Sequence, residues 1–415
     1  MQQFTLIFLA FVAARMAFQL WLSSRQIAHV HAHRNAVPPS FSASVTAEQH
    51  ARAADYTAAR QRLSMIETIV EALAVAGLTI GGGIAGISEF VSGLGLGPVL
   101  TQTLLVLAVV AILALIDVPF GLYRTFSIEQ RFGFNRSTLA LHLADLAKGL
   151  LIALLLGGVI VALVLALMIR FGDRWWIAGW LAWTSFTLLL TWAWPRVIAP
   201  MFNRFAPLED VALRSRIDAL LARCGFRSNG LFVMDGSRRS AHGNAYFTGL
   251  GRNKRIVFFD TLLSTLAPDE VESVLAHELG HFRLRHVPQR LVVTMIGSFL
   301  GFALLGWLYV QPWFFASLGV PVPGAGAALV LFLLSVPAFT WPLAPLGAAW
   351  SRRHEFQADD YAARHADAGA LSRALVKLYR ENASTLTPDP LHSAWYDSHP
   401  PPATRIARLS AARTT

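Results

Sequence analysis

His277-Glu278-Leu279-Gly280-His281 holds the residues of this chain whose types and spacing are best suited to chemistry. Histidines at i and i+4 share one helix face, so both imidazoles reach one metal ion, and the glutamate beside the first is placed to handle a water at that ion. At this composition the pattern arises by chance in roughly one such sequence in a hundred, so its surroundings must decide. A catalytic zinc held by two histidines needs a third protein ligand and an open position for water. The remaining candidates lie mostly in Ser351-Arg352-Arg353-His354-Glu355-Phe356-Gln357-Ala358-Asp359-Asp360. Glu355 and Asp359 form an i,i+4 pair on one helix face. Glu355 is placed to ligate, and Asp359 to orient a ligating imidazole through its ring N–H. His354 is the alternative ligand, about 100° round the same helix from Glu355. Alone, such an acid pair reads as a solvated face; the upstream histidines favour ligation.

With zinc bound, Glu278 is the expected general base for water attacking a peptide carbonyl, and then the proton donor to the leaving amine. The developing oxyanion needs a second donor, and the chain offers His399 and Arg405 in the segment Ser398-His399-Pro400-Pro401-Pro402-Ala403-Thr404-Arg405. On composition alone His399 reads as a surface histidine in a proline-rich turn. Asn244-Ala245-Tyr246-Phe247-Thr248-Gly249 reads as a strand ahead of the metal helix. Such a strand can hold substrate by main-chain hydrogen bonds, although an ordinary hairpin strand has the same pattern.

The elements that must position these residues lie in a membrane. Apolar residues make up 54% of the 415 and charged residues 14%, against roughly 25% charged in an ordinary globular protein. Seven apolar runs of spanning length fall at about 4–22, 70–91, 98–118, 149–169, 175–195, 291–310 and 325–349. The first starts Met1-Gln2-Gln3 without a basic region and reads as a retained helix rather than a signal peptide. Gly81-Gly82-Gly83 in the second would allow close backbone approach or flexibility. Arg15, Glu89 and Asp117 lie within or beside apolar runs, consistent either with a polar interior cavity or with snorkelling near helix ends. Cys224 is the only cysteine, so no intrachain disulfide can form.

A net charge of +10 raises the question of nucleic acid, but only three basic residues are lysines and no basic repeat is present. Loop position explains the charge better. The loops at about 23–64 and 119–148 carry nine Lys and Arg, and the opposite-side loops carry Arg170 and Arg174 only. This positive-inside bias places the metal motif and the C-terminal tail in the cytoplasm. The organisation expected is a five-helix membrane region (1–195), a soluble insert carrying the histidine pair (196–287), two further spans (288–350) and a C-terminal segment with the third ligand (351–415). In the insert, Leu208–Cys224 has helical periodicity, and Leu231–Met234, Ala245–Thr248 and Ile256–Phe259 read as strands, the last two joined by a Gly249–Lys254 hairpin loop. Pro268-Asp269-Glu270 opens the metal helix, which is expected to run on towards the sixth span.

Beyond single motifs, the chain resembles the CAAX prenyl protease 1 family of integral-membrane zinc metalloendopeptidases, in its bacterial form. The resemblance is carried by Tyr123-Arg124-Thr125-Phe126 through Glu129 to Phe132-Gly133-Phe134-Asn135, by Pro200–Leu208, Asn244–Gly249, His277–His281 and Ser351–Asp359, and by His399-Pro400-Pro401 with Arg405. A smaller heat-shock membrane metallopeptidase shares the His277 and Glu355 motifs but has fewer spans and no counterpart to the 123–135 loop. The resemblance implies zinc on His277, His281 and Glu355, Glu278 as base, Asn244 in substrate binding, and His399 with Arg405 near the transition state. It also implies an α-helical membrane protein with seven helices around a water-filled intramembrane chamber, capped by a mostly helical zincin-type domain with a small β-sheet. Eukaryotic relatives remove the last three residues after a prenylated cysteine. For a bacterial member, peptides or unfolded membrane-protein segments are the expected substrates, at the inner membrane. Ser398 stands where many relatives place an acid. A transporter or channel would explain the intramembrane charges but not Glu278 beside the histidine pair. A non-catalytic metal-binding chaperone would require a missing catalytic group.

Overall fold

A computed structural model describes residues 2–226, 230–248 and 255–412. Long helices dominate. Among the described residues, five are long and apolar enough to cross a membrane: Gln3–Ala32, Pro98–Glu129, Leu139–Arg170, His286–Tyr309 and Ala325–His365. Ala47–Leu78 and Gly83–Ser92 make a sixth if counted together, bent by 52°. The bend falls at the glycine triplet. Gly82 takes φ 78°, and a Cβ on Gly81 would lie 2.6 Å from the Gly77 carbonyl oxygen, so this turn needs residues without side chains. The remaining apolar run forms the helix Trp175–Ala193, whose five tryptophans lower its hydropathy. It packs on His286–Tyr309, where Trp180 donates to the Met295 carbonyl at 3.2 Å.

The outer faces of these helices stay apolar: Leu115 and Val159 are each 69% exposed. In water such surface would drive aggregation, whereas hydrocarbon solvates it. The protein is a multi-pass integral membrane protein. Arg15 meets Glu71 of the next helix at 3.0 Å; Glu89 and Asp117 are exposed and in no ion pair among the described residues.

The helices extend well past the apolar runs. The segments expected as cytoplasmic loops at 23–64 and 119–148 are largely helical, through Ala32, from Ala47 and to Glu129. The sequence offers the reason: Thr46 and Gln49 form a capping box that starts the second helix amid polar residues.

Beyond the membrane part lies a four-stranded sheet, β1 (Phe205–Pro207), β2 (Leu231–Met234), β3 (Ala245–Thr248) and β4 (Arg255–Phe259), in the order β1-β2-β4-β3. β2 and β4 run parallel, whereas β1 and β3 pair antiparallel with their neighbours. Three strands match the sequence reading. β1 is new, being too short and proline-bounded to carry a period of two. The expected hairpin loop 249–254 lies outside the described residues. The expected helix in the insert spans Val211–Arg223, capped by the Asp210 carboxylate. The two largest cores among the described residues lie one among the membrane helices (Phe8, Leu105, Leu165, Phe314, Leu331) and one under the sheet (Ile217, Phe258, Leu275, Leu279, Leu371).

Candidate active site

The helix Pro268–Arg283 carries the histidine pair. Pro268 fills the first turn, and the Glu270 carboxylate accepts from the Ala267 N–H at 2.8 Å and from Lys377 Nζ at 2.7 Å. Its apolar stripe, Val271, Leu275 and Leu279, sits in the core under the sheet. The opposite side meets the helix Ala344–His365 so closely that a Cβ on Gly280 would lie 3.0 Å from Ala358 Cα. This contact brings Glu355 over the two imidazoles.

His277, His281 and Glu355 each present a ligand atom, all within 4.8 Å of one another. His277 Nε2 and His281 Nε2 are 3.2 Å apart, and the Glu355 carboxylate lies 3.5 Å from the first and 3.4 Å from the second. Ligands about 2.0–2.1 Å from a tetrahedral zinc would stand roughly 3.3–3.4 Å apart. The Glu355 Oε2 atom is buried without a hydrogen-bond partner, so a cation would satisfy it. Two imidazoles and one carboxylate suit zinc. The donor set and spacing fit the ion.

Asp359 is completely buried, and its Oδ1 lies 2.8 Å from His277 Nδ1. Arg405 holds the same carboxylate with two hydrogen bonds, 2.8 Å from Nε and 2.6 Å from Nη2. Its Nη1 lies 3.8 Å from Glu355. Burial pushes the His277 imidazole down, but hydrogen bonds to Asp359 and Glu355 outweigh it, so its pKa stands at about 9. The site thus favours positive charge where the two carboxylates converge.

Glu278 follows His277 on the helix and makes no hydrogen bond or ion pair among the described residues. Burial pushes its carboxyl above the usual carboxylate range. His399 Nε2 lies 3.5 Å from Glu355 Oε2. Its side chain is 64% exposed, yet burial is the main influence on the ring and pushes its pKa down. At this distance His399 stands beside the His277, His281 and Glu355 group.

Asn244, Ala245 and Tyr246 open β3, an edge strand whose far side has no partner strand among the described residues. No hydrogen bond or ion pair links them to the triad among the described residues; the Asn244 carbonyl accepts from the Phe259 N–H at 3.0 Å. His354 is not part of the metal group. Its ring lies flat on His286, 3.9 Å between centroids, so the alternative ligand is turned away.

Sequence reasoning missed two clusters. His286 Nδ1 lies 2.9 Å from His281 Nδ1, and its Nε2 lies 3.0 Å from Gln357 Oε1. His242 joins the 123–135 loop to the peptidase part: it stacks on Phe134 at 4.5 Å and reaches Glu129 at 3.4 Å and Asn382 at 3.1 Å. The third histidine in His277–His286 was a visible signal for the first cluster. Nothing in the pattern around His242 marked the second.

Residues 26–204 match a family profile described as CAAX prenyl protease N-terminal, five membrane helices, and residues 207–413 match Peptidase family M48. A CAAX prenyl protease 1 homolog of Oryza sativa subsp. japonica is 39% identical over 71% of this chain and 70% of its own length. The chain belongs to the CAAX prenyl protease 1 family. It is a metalloendopeptidase of the M48 type. Another member, CAAX prenyl protease 1 of Saccharomyces cerevisiae, is 37% identical over 71% of this chain and 69% of its own length. A crystal structure of Ste24p from S. mikatae, 30% identical, superimposes with a TM-score of 0.90 over 98% of both chains. M48 metallopeptidases are in general zinc-dependent, and in this member of the family the His277, His281 and Glu355 group could hold the metal.

Proposed function

We propose that this chain hydrolyses peptide bonds at one zinc ion held by His277, His281 and Glu355, with Glu278 as general base. The observation carrying the proposal is the convergence of three ligand atoms at tetrahedral spacing beside the half-buried Glu278 carboxylate, which has no hydrogen-bond or ion-pair partner among the described residues. The ion supplies Lewis acidity, which makes water nucleophilic near neutral pH. Glu278 accepts the proton of the attacking water and delivers it to the leaving amine. Its raised pKa suits a group that must both take and give a proton. His399 faces the same space and donates to the negative charge growing on the substrate carbonyl oxygen. Arg405 spends two donors on Asp359, fixing the carboxylate that holds His277, and leaves Nη1 towards Glu355.

The free edge of β3 suits an extended peptide added as a further strand, aligned by Asn244, Ala245 and Tyr246. An interior chamber is supported by a polar cavity of about 350 Å³ bordered by Arg60, Gln61, Arg124, Asn382 and Asp397. The names of the relatives point to C-terminal CAAX processing; in a bacterial inner membrane, segments of membrane proteins would fill that place. The arginine-rich loops favour a cytoplasmic active site. Turnover of a peptide by zinc-loaded protein, compared with the Glu278→Gln variant, tests this reading.

A further inference from the structure

In an unbroken helix His286 would lie five residues past His281, about 140° round the axis, and the two rings could not meet. They do meet, with Nδ1 of one 2.9 Å from Nδ1 of the other. Arg285 makes this possible. At φ 58° and ψ 35° it ends one helix in a left-handed turn and starts the next at His286. It is one of two non-glycine residues with positive φ among the described residues, the other being Ala383. A side-chain-bearing residue adopts that conformation only where its surroundings demand it. The demand here comes from a ring 2% exposed and tied at both nitrogens.

The proton arrangement follows from the partners. A neutral imidazole has one N–H, so a His281 that offers its Nε2 lone pair to a metal carries its proton on Nδ1. That N–H donates to His286 Nδ1. The His286 proton then sits on Nε2 and donates to the Gln357 side-chain oxygen at 3.0 Å. An amide oxygen only accepts, so the direction of the whole chain is set from the Gln357 end. His354, stacked on His286 at 3.9 Å with planes 4° apart, fixes the plane of the ring. His277 is held differently, by a carboxylate.

We infer that His286 and Gln357 are positioning residues for the metal: they hold His281 in the tautomer that ligates through Nε2. They also tie that ligand to two membrane helices, one beginning at His286 and one passing through Gln357. This rests on the metal reading above, and the test separates the two.

The measurement is the zinc affinity of the full-length apo-protein in detergent, by competition with a chromophoric chelator, with thermal melting to show folding. If the wild-type chain takes up no zinc, the metal reading itself fails. With zinc bound, His286→Leu should weaken affinity by about 10–100-fold, the usual effect of removing such a supporting partner. Gln357→Leu should weaken it in the same direction by a smaller factor. His286→Asn, whose side-chain oxygen can accept from His281 Nδ1, should recover most of the loss. Wild-type affinity in His286→Leu would overturn the inference, as would an Asn variant as weak as the Leu variant. Should His286→Leu not fold, Gln357→Leu carries the test, and unchanged affinity there overturns it.

Discussion

Asp359 has two duties. Its carboxylate is the partner of His277 Nδ1 and, among the described residues, the acceptor for a bidentate Arg405, and the three groups lie almost wholly out of water. An Asp359→Asn substitution keeps the shape but removes the charge that offsets the buried guanidinium. Losing one partner of a buried pair typically costs about 3–5 kcal/mol, and losing the support of a ligating histidine about 10–100-fold in metal affinity. Zinc titration and thermal melting of this variant should therefore fall together. Unchanged zinc affinity would mean that Asp359 serves stability alone.

At the level of elements, the site depends on two helices touching at Gly280. A methyl group there would meet Ala358 Cα and Tyr361 Cβ at 3.0 Å, and neither can move without moving its helix. Gly280→Ala should lower stability by about 1–3 kcal/mol by overpacking, outweighing the helix propensity gained, and should shift Glu355 away from the imidazoles. Calorimetry with zinc titration would show both; a more stable variant with intact affinity would contradict the close contact. The sequence made the candidate ligands legible because i,i+4 spacing is a local property. His277 with His281, and Glu355 with Asp359, could be paired from letters alone. The junction at Arg285 could not, since a left-handed residue leaves no signal unless it is glycine. The metal helix was expected to run on towards the sixth span; it breaks there, and His286 turns back. The same limit hid the docking of the 123–135 loop on His242, a contact between segments more than a hundred residues apart.

On the scale of the molecule, the proposed site sits where two spanning helices emerge, His286–Tyr309 and Ala325–His365. Arginines cluster in segments on the side assigned to it, and the turns assigned to the other side are nearly bare. With the single native Cys224 replaced by alanine, cysteines placed at Ser44 and at Gly95 should react with an impermeant thiol reagent from opposite sides. Ser44 should share the side of the C-terminal tail; labelling of both from one side would refute the orientation. The claim on which the rest depends is that Glu278 moves the proton for hydrolysis. In zinc-loaded protein acting on a fluorogenic peptide, Glu278→Gln should keep its zinc and lose about 10²–10⁴-fold in kcat. Full activity in that variant, with zinc still bound, would contradict the mechanism.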